Sequence, residues 1–174
     1  MTDNAMTDIE QFLEILTRAD VKFIVIGGVA AIAHGAARVT YDLDIVYDRS
    51  PANLERLVAT LKPYDPYLRG APPGLPFRWD AATLQRGLNF TLTTQLGAID
   101  LLGEVAGGGT YVQLLPFSQQ VELMGLRCLC VQLPRLIALK RAAGRPKDFE
   151  AIAELELLLE ELTMNETTEE RPPS

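Results

Sequence analysis

The sequence predicts a single α/β domain, a mixed β-sheet flanked by helices. Short apolar runs such as FIVI, DLDIV and AIDLL read as buried strands, and segments of helical periodicity lie between them. Strands and helices alternate early in the chain, and a hairpin pattern and two closing helices follow. At 174 residues the chain is long enough for one domain with a proper core and too short for two comfortable ones.

Residues 8–19 place Ile9, Phe12, Leu13 and Leu16 at helical spacing. VKFIVIGG is a short buried strand ending at glycines, and VAAIAHGAA is a small-residue helix stopped near Gly35. TYDLDIVYD is a second strand. Ser50-Pro51 then supplies an N-cap and a first-turn proline to a helix with Leu54, Leu57, Val58 and Leu61 on one face. Residues 63–79 hold five prolines and two glycines and read as a long irregular connection, a kind of segment that is often functional. LNFTLTTQLGAIDLL forms two strands turning near Gly97, GGG at 107–109 is a break, and VELMGLRCLCVQ is one last strand. LPRLIALKRAAG is a helix with Gly144 as its C-cap. A closing helix from Pro146 to about Thr163 turns Phe149, Ile152, Leu155 and Leu159 inward. The domain therefore spans 1–162, and 163–174 reads as a disordered acidic tail.

Apolar content of 48% and charged content of 22% are those of an ordinary globular protein. The polar, acidic opening MTDNAMTDIEQF is not a signal peptide, and no apolar run approaches the roughly 18 residues of a membrane helix. Cys128 and Cys130 read as a reduced buried pair, since no other residues complete a zinc site. The expected location is the cytoplasm, with no membrane partner. A net charge of −7 excludes coating of nucleic acid by bulk attraction. The charge is unevenly spread: residues 148–174 carry nine acids and one arginine, whereas 123–147 carry six basic residues and no acid. Two readings of that basic stretch stand, a local basic surface and a run neutralised in the fold by the glutamates.

Asp42 and Asp44 interrupt an apolar strand, and strand geometry sends both side chains to one face. Two hard oxygen donors at this spacing suit Mg²⁺. Asp100 stands in similar surroundings, and if its strand lies beside the first, three acids converge, enough for two metal ions. Gly27-Gly28 ends the preceding strand, where a backbone without Cβ atoms can approach a ligand and the next helix directs free N–H groups. A solvated acidic edge and a plain turn are the competing readings of these two features. His34, the single histidine, is assigned a structural role, and with no second histidine a hydrolytic triad is not supported. Phe77 and Trp79 plug the core under the loop or stack a base.

The order strand, GG, helix, Asp-x-Asp, later apolar-Asp-apolar resembles the DNA polymerase β-type nucleotidyltransferases in their minimal form. GGVAAIAHGAARVTYDLDIV and LIALKRAAGRPKDFEAIAEL resemble the two signatures of AbiEii-like nucleotidyltransferases of toxin–antitoxin and abortive-infection systems. The resemblance covers most of residues 8–160. It implies Mg²⁺-dependent transfer of a nucleoside monophosphate from an NTP to a hydroxyl, with release of pyrophosphate. By it, Asp42, Asp44 and Asp100 are metal ligands, and Asp100 also assists deprotonation of the acceptor. Gly27 and Gly28 hold the triphosphate, with Arg38 and Thr40 in the same motif, and Lys140 reaches the phosphates. Asp148 orients Arg145 and Lys147 of the second signature. The residues alone leave Lys140 open as a solvated lysine, and Arg145, Lys147 and Asp148 as a helix-start charge cluster. The implied acceptor is an RNA end, particularly tRNA, with a cognate toxin or antitoxin partner. The alternatives are a protein hydroxyl, a small molecule, and a non-catalytic nucleotide-binding module.

Overall fold

The architecture is that of a computed structural model, which describes residues 6–169. Helix α1 (Ile9–Arg18) is started by Asp8, whose carboxylate accepts from the Gln11 N–H at 3.1 Å, and it buries Phe12, Leu13 and Leu16 completely. Strand β1 (Phe23–Ile26) is buried along its whole length and runs directly into the seven-residue α2 (Gly27–Ala33). Strand β2 (Asp42–Tyr47) follows, then α3 (Pro51–Leu61). Ser50 precedes α3, but its hydroxyl donates to Asp48 Oδ2 at 3.0 Å instead of capping the helix. Proline 51, with its missing N–H, starts the turn without that help.

The proline-rich segment is more regular than its composition suggests. It holds a 3₁₀ turn (Lys62–Tyr64) and a two-residue edge strand β3 (Tyr67–Leu68). Phe77 and Trp79 pack against the core, and the Trp79 indole donates to Val58 O at 2.9 Å. Next come α4 (Ala81–Arg86), β4 (Asn89–Thr94) and β5 (Gly97–Leu102). A small ribbon of β6 (Glu104–Val105) and β7 (Gly109–Thr110) leads to α5 (Tyr111–Leu114).

The stretch expected to be one last strand is a hairpin, β8 (Ser118–Leu123) and β9 (Leu126–Val131). Met124 and Gly125 turn it with φ of 52° and 78°, positive at both central positions as a tight hairpin requires. Methionine is a poor marker of such a turn, so the break is hidden in the sequence. Helix α6 (Leu133–Ala143) ends at Gly144 with φ 65°, as its glycine predicts. Helix α7 (Pro146–Glu169) corrects two expectations. It continues past residue 163, with the Thr163, Thr167 and Thr168 hydroxyls bonding carbonyls one turn back. The remainder of the acidic tail, 170–174, lies outside the described residues. Phe149 is 63% exposed, because the inward phase of the helix is Asp148, Ile152 and Leu155.

Seven strands form one mixed sheet in the order β3-β4-β5-β2-β1-β9-β8. The pairs β2–β5 and β1–β9 are parallel, and β1–β2 is antiparallel. Helices α1 and α3 pack together, as do α2, α6 and α7 in sequence. Leu43, Ile45, Ile99 and Leu101 are fully buried and alternate with the aspartates along β2 and β5.

Candidate active site

Because Leu43 and Ile45 occupy the core face of β2, Asp42 and Asp44 must leave from the other. The parallel register then sets Asp100 of β5 directly beside Asp44, and Ala98 beside Asp42. One carboxylate oxygen of each aspartate lies within 4.8 Å of the other two. A one-residue slip of β5 would send Asp100 to the opposite face and dissolve the cluster.

Asp44 bears the cost of this arrangement. Burial first, then the charges of Asp42 and Asp100, push its pKa from 3.8 up to about 8, with Lys140 pulling the other way. Its Oδ1 is buried without a hydrogen-bond partner. Asp100 Oδ1 is left the same way. Three hard oxygen-donor side chains on neighbouring strands, two of them with an orphaned oxygen, fit a divalent cation.

Glycine at 27 is dictated twice over. Its φ is +67°, and a Cβ there would overlap the Asp44 carboxylate. At Gly28 a Cβ would press on Thr40 Oγ1 at 2.7 Å, and that hydroxyl donates to Asp42 O at 3.1 Å. Both glycines therefore let α2 start tightly against the aspartate strand.

A cleft of about 240 Å³ opens over the cluster, with Gly27, Asp44, Asp100, Lys140 and Arg145 on its walls and Val105, Leu136 and Leu139 as an apolar side. Lys140 of α6 faces it half-buried. Burial lowers its pKa, Arg145 and Arg38 add to the effect, and Asp148 and Asp44 oppose it. A larger hollow of about 750 Å³ runs along Leu159, Thr163 and Met164 of α7, but Glu160 is its only ionisable side chain. The chemistry lies in the smaller cleft.

No family model matches the sequence, and no curated protein does. Among solved structures, the lincosamide antibiotic adenylyltransferase LnuA with lincomycin bound superposes with a TM-score of 0.60, over 89% of this chain and 99% of that one. This chain has a nucleotidyltransferase fold. Sequence identity to LnuA is 16%. A candidate nucleotidyltransferase from Thermotoga maritima matches at 13% identity and a TM-score of 0.46, over 98% and 100% of the two chains.

The fold brings Gly27, Asp44, Asp100, Lys140 and Arg145 to one cleft, and Asp42 joins them through the carboxylate cluster at its edge. Other residues of the two motifs stand behind it. Arg38 turns to α7, its Nε donating to Glu154 Oε2 at 2.7 Å, while the Ala37 N–H donates to Glu154 Oε1 at 3.1 Å. Asp148 is buried away from the cleft wall and accepts from the Arg145 Nε at 2.9 Å and backbone N–H at 3.2 Å. Burial pushes its pKa up, but the hydrogen bonds and charge of Arg145 outweigh that and hold it below the usual carboxylate range. Lys147 is exposed and makes no ion pair among the described residues. His34 caps α2, its Nε2 2.7 Å from Val131 O, a structural position.

The basic stretch does not form one face. Arg127 is the second residue of β9, at the end of the strand far from Gly27, Arg135 lies 3.8 Å over the Phe117 ring, and Arg141 pairs with Glu156. Arg145 is held by Asp148, so two of the six basic residues are neutralised by acids, and Arg127, Arg135, Lys140 and Lys147 make no ion pair among the described residues.

Two further charged residues of the site carry no motif in the sequence. Glu154 ties the loop before β2 to α7. Arg69, just beyond β3, sends Nη2 to 2.9 Å from Asp100 Oδ1 and Nη1 to 4.0 Å from Asp42 Oδ2. The Nη2 hydrogen bond goes to Leu92 O at 2.7 Å, and Asp100 Oδ1 is left without an aligned donor, so the contact with Asp100 is ionic. The only signal for Arg69 was its place in a long proline-rich connection, a region without periodicity.

Proposed function

We propose that this protein is an enzyme that transfers a nucleoside monophosphate from a nucleoside triphosphate to a hydroxyl acceptor and releases pyrophosphate. The observation that supports this most is the β2–β5 register, which gathers three aspartates opposite Lys140 in a nucleotidyltransferase fold. In this reading Asp42, Asp44 and Asp100 hold Mg²⁺ in a two-metal site, which when bound would offset triphosphate charge and favour ionisation of the acceptor hydroxyl. Asp100 assists removal of the hydroxyl proton. Gly27 and Gly28 let the backbone approach the phosphates. Lys140 supplies positive charge where it accumulates on departing pyrophosphate. Thr40 fixes the Asp42 carbonyl, Arg38 is held by Glu154, and Asp148 holds Arg145 at the cleft, with Lys147 beside it on α7.

For the acceptor we favour the hydroxyl of an RNA end, tRNA in particular, in an AbiEii-like toxin–antitoxin setting with a cognate partner protein. The resemblance of residues 27–46 and 136–155 to the two signatures supports it. A small-molecule hydroxyl has support of its own: LnuA is a lincosamide adenylyltransferase, and the basic residues here are dispersed. The intact carboxylate set speaks against a non-catalytic module. A cytoplasmic location suits the buried free thiols of Cys128 and Cys130. No helix among the described residues is long and apolar enough to cross a membrane.

The test is transfer of label from each α-³²P NTP, with Mg²⁺, into total tRNA, cell lysate protein and lincomycin, with Asp42→Ala and Asp44→Ala alongside. Label in one acceptor class that both variants lose supports the proposal and names the acceptor. Label retained by the variants, or none in any class from folded protein, counts against it.

A further inference from the structure

Arg69 is the one cation that touches the carboxylate cluster directly among the described residues. Its surroundings differ from those of a structural arginine. Arg49 is satisfied by Tyr47 Oη at 2.7 Å, Leu84 O at 3.1 Å and Gln85 O at 3.0 Å. Arg69 has one good hydrogen bond, to Leu92 O, and its Nε is buried with no acceptor. Its pairing with Asp100 and Asp42 is thus electrostatic and incompletely satisfied.

The backbone around Arg69 is fixed. Its N–H donates to Thr91 O at 3.0 Å, Leu68 pairs with Leu92 in the sheet, and the Tyr67 and Phe77 rings meet edge to face at 6.1 Å. The side chain is less constrained: it is 32% exposed, and a Cβ added at the next residue, Gly70, would meet nothing within 4 Å.

We propose that Arg69 is the internal counter-ion of the cluster and competes with a divalent cation for Asp42 and Asp100, so that it sets the affinity of the protein for metal before nucleotide arrives. This inference rests on the carboxylate cluster being the metal site proposed above. It makes Arg69 a positioning residue that holds the empty cluster together at the expense of metal affinity.

Mn²⁺ binding to the full chain, followed by electron paramagnetic resonance without nucleotide, tests it. Arg69→Gln is expected to bind Mn²⁺ about tenfold more tightly than wild type, the scale of one partly buried ion pair. Arg69→Lys keeps the charge without the fork and should fall between, and the exposed Arg78→Gln should match wild type. Without metal Arg69→Gln should melt below wild type, and saturating Mn²⁺ should close that gap. Affinity within twofold of wild type, or weaker, overturns the role of Arg69 and leaves the metal site standing. No Mn²⁺ bound by any of these proteins, all folded by circular dichroism, overturns the metal site and this inference with it.

Discussion

Ionising Asp44 places a negative charge in a buried position beside Asp42 and Asp100, and its pKa of about 8 expresses that cost. An acid whose pKa is raised on folding binds its proton more tightly in the native chain than in the unfolded one. Its stabilising contribution is present at low pH and is lost as pH rises from about 3.8 to about 8. In EDTA, Asp44→Asn should therefore melt several degrees above wild type at pH 8, and the difference should shrink at pH 5. Thermal scans at the two values check this, and equal differences at both would contradict it. The same variant should lose about a hundredfold or more in transfer rate. The aspartates were legible in the sequence because strand alternation makes a carboxylate in an apolar run conspicuous. Arg69 was not, because its place depends on the path of a long loop and on an edge strand of two residues.

At the scale of elements, the strands that carry chemistry were visible from their composition, and the failures fell where a single turn or helical phase decides. The β8–β9 hairpin turns on Met124, which carries no turn signal. The start of α7 turns on Asp148, which closes on Arg145 and takes the inward position, so Phe149 rotates to solvent. Two substitutions separate the phases. Leu155→Ala, at a fully buried site, should cost about 2–5 kcal/mol, whereas Phe149→Ala should change stability by less than about 1 kcal/mol. Urea unfolding of both variants checks this, and comparable losses would show that the helix packs in another phase.

For the whole molecule, the alternation of strands and helices was enough to announce the class of fold, whereas the seven-strand order depends on long-range pairings that no local pattern encodes. We propose that the domain ends near residue 162, and the exposure of every side chain described from Glu160 through Glu169 supports it. Deleting residues 163–174 should leave the melting temperature within about 2 °C, a change of under about 1 kcal/mol for a chain of this size. A larger fall would make the end of α7 part of the domain. The central claim is that the β2–β5 register exists to present a metal–nucleotide site. Anomalous diffraction from crystals grown with Mn²⁺ and a non-hydrolysable NTP tests it most directly. The account predicts manganese bound by Asp42, Asp44 and Asp100, with the triphosphate between Gly27 and Lys140. Well-ordered crystals with manganese elsewhere and no nucleotide over the aspartates would contradict it.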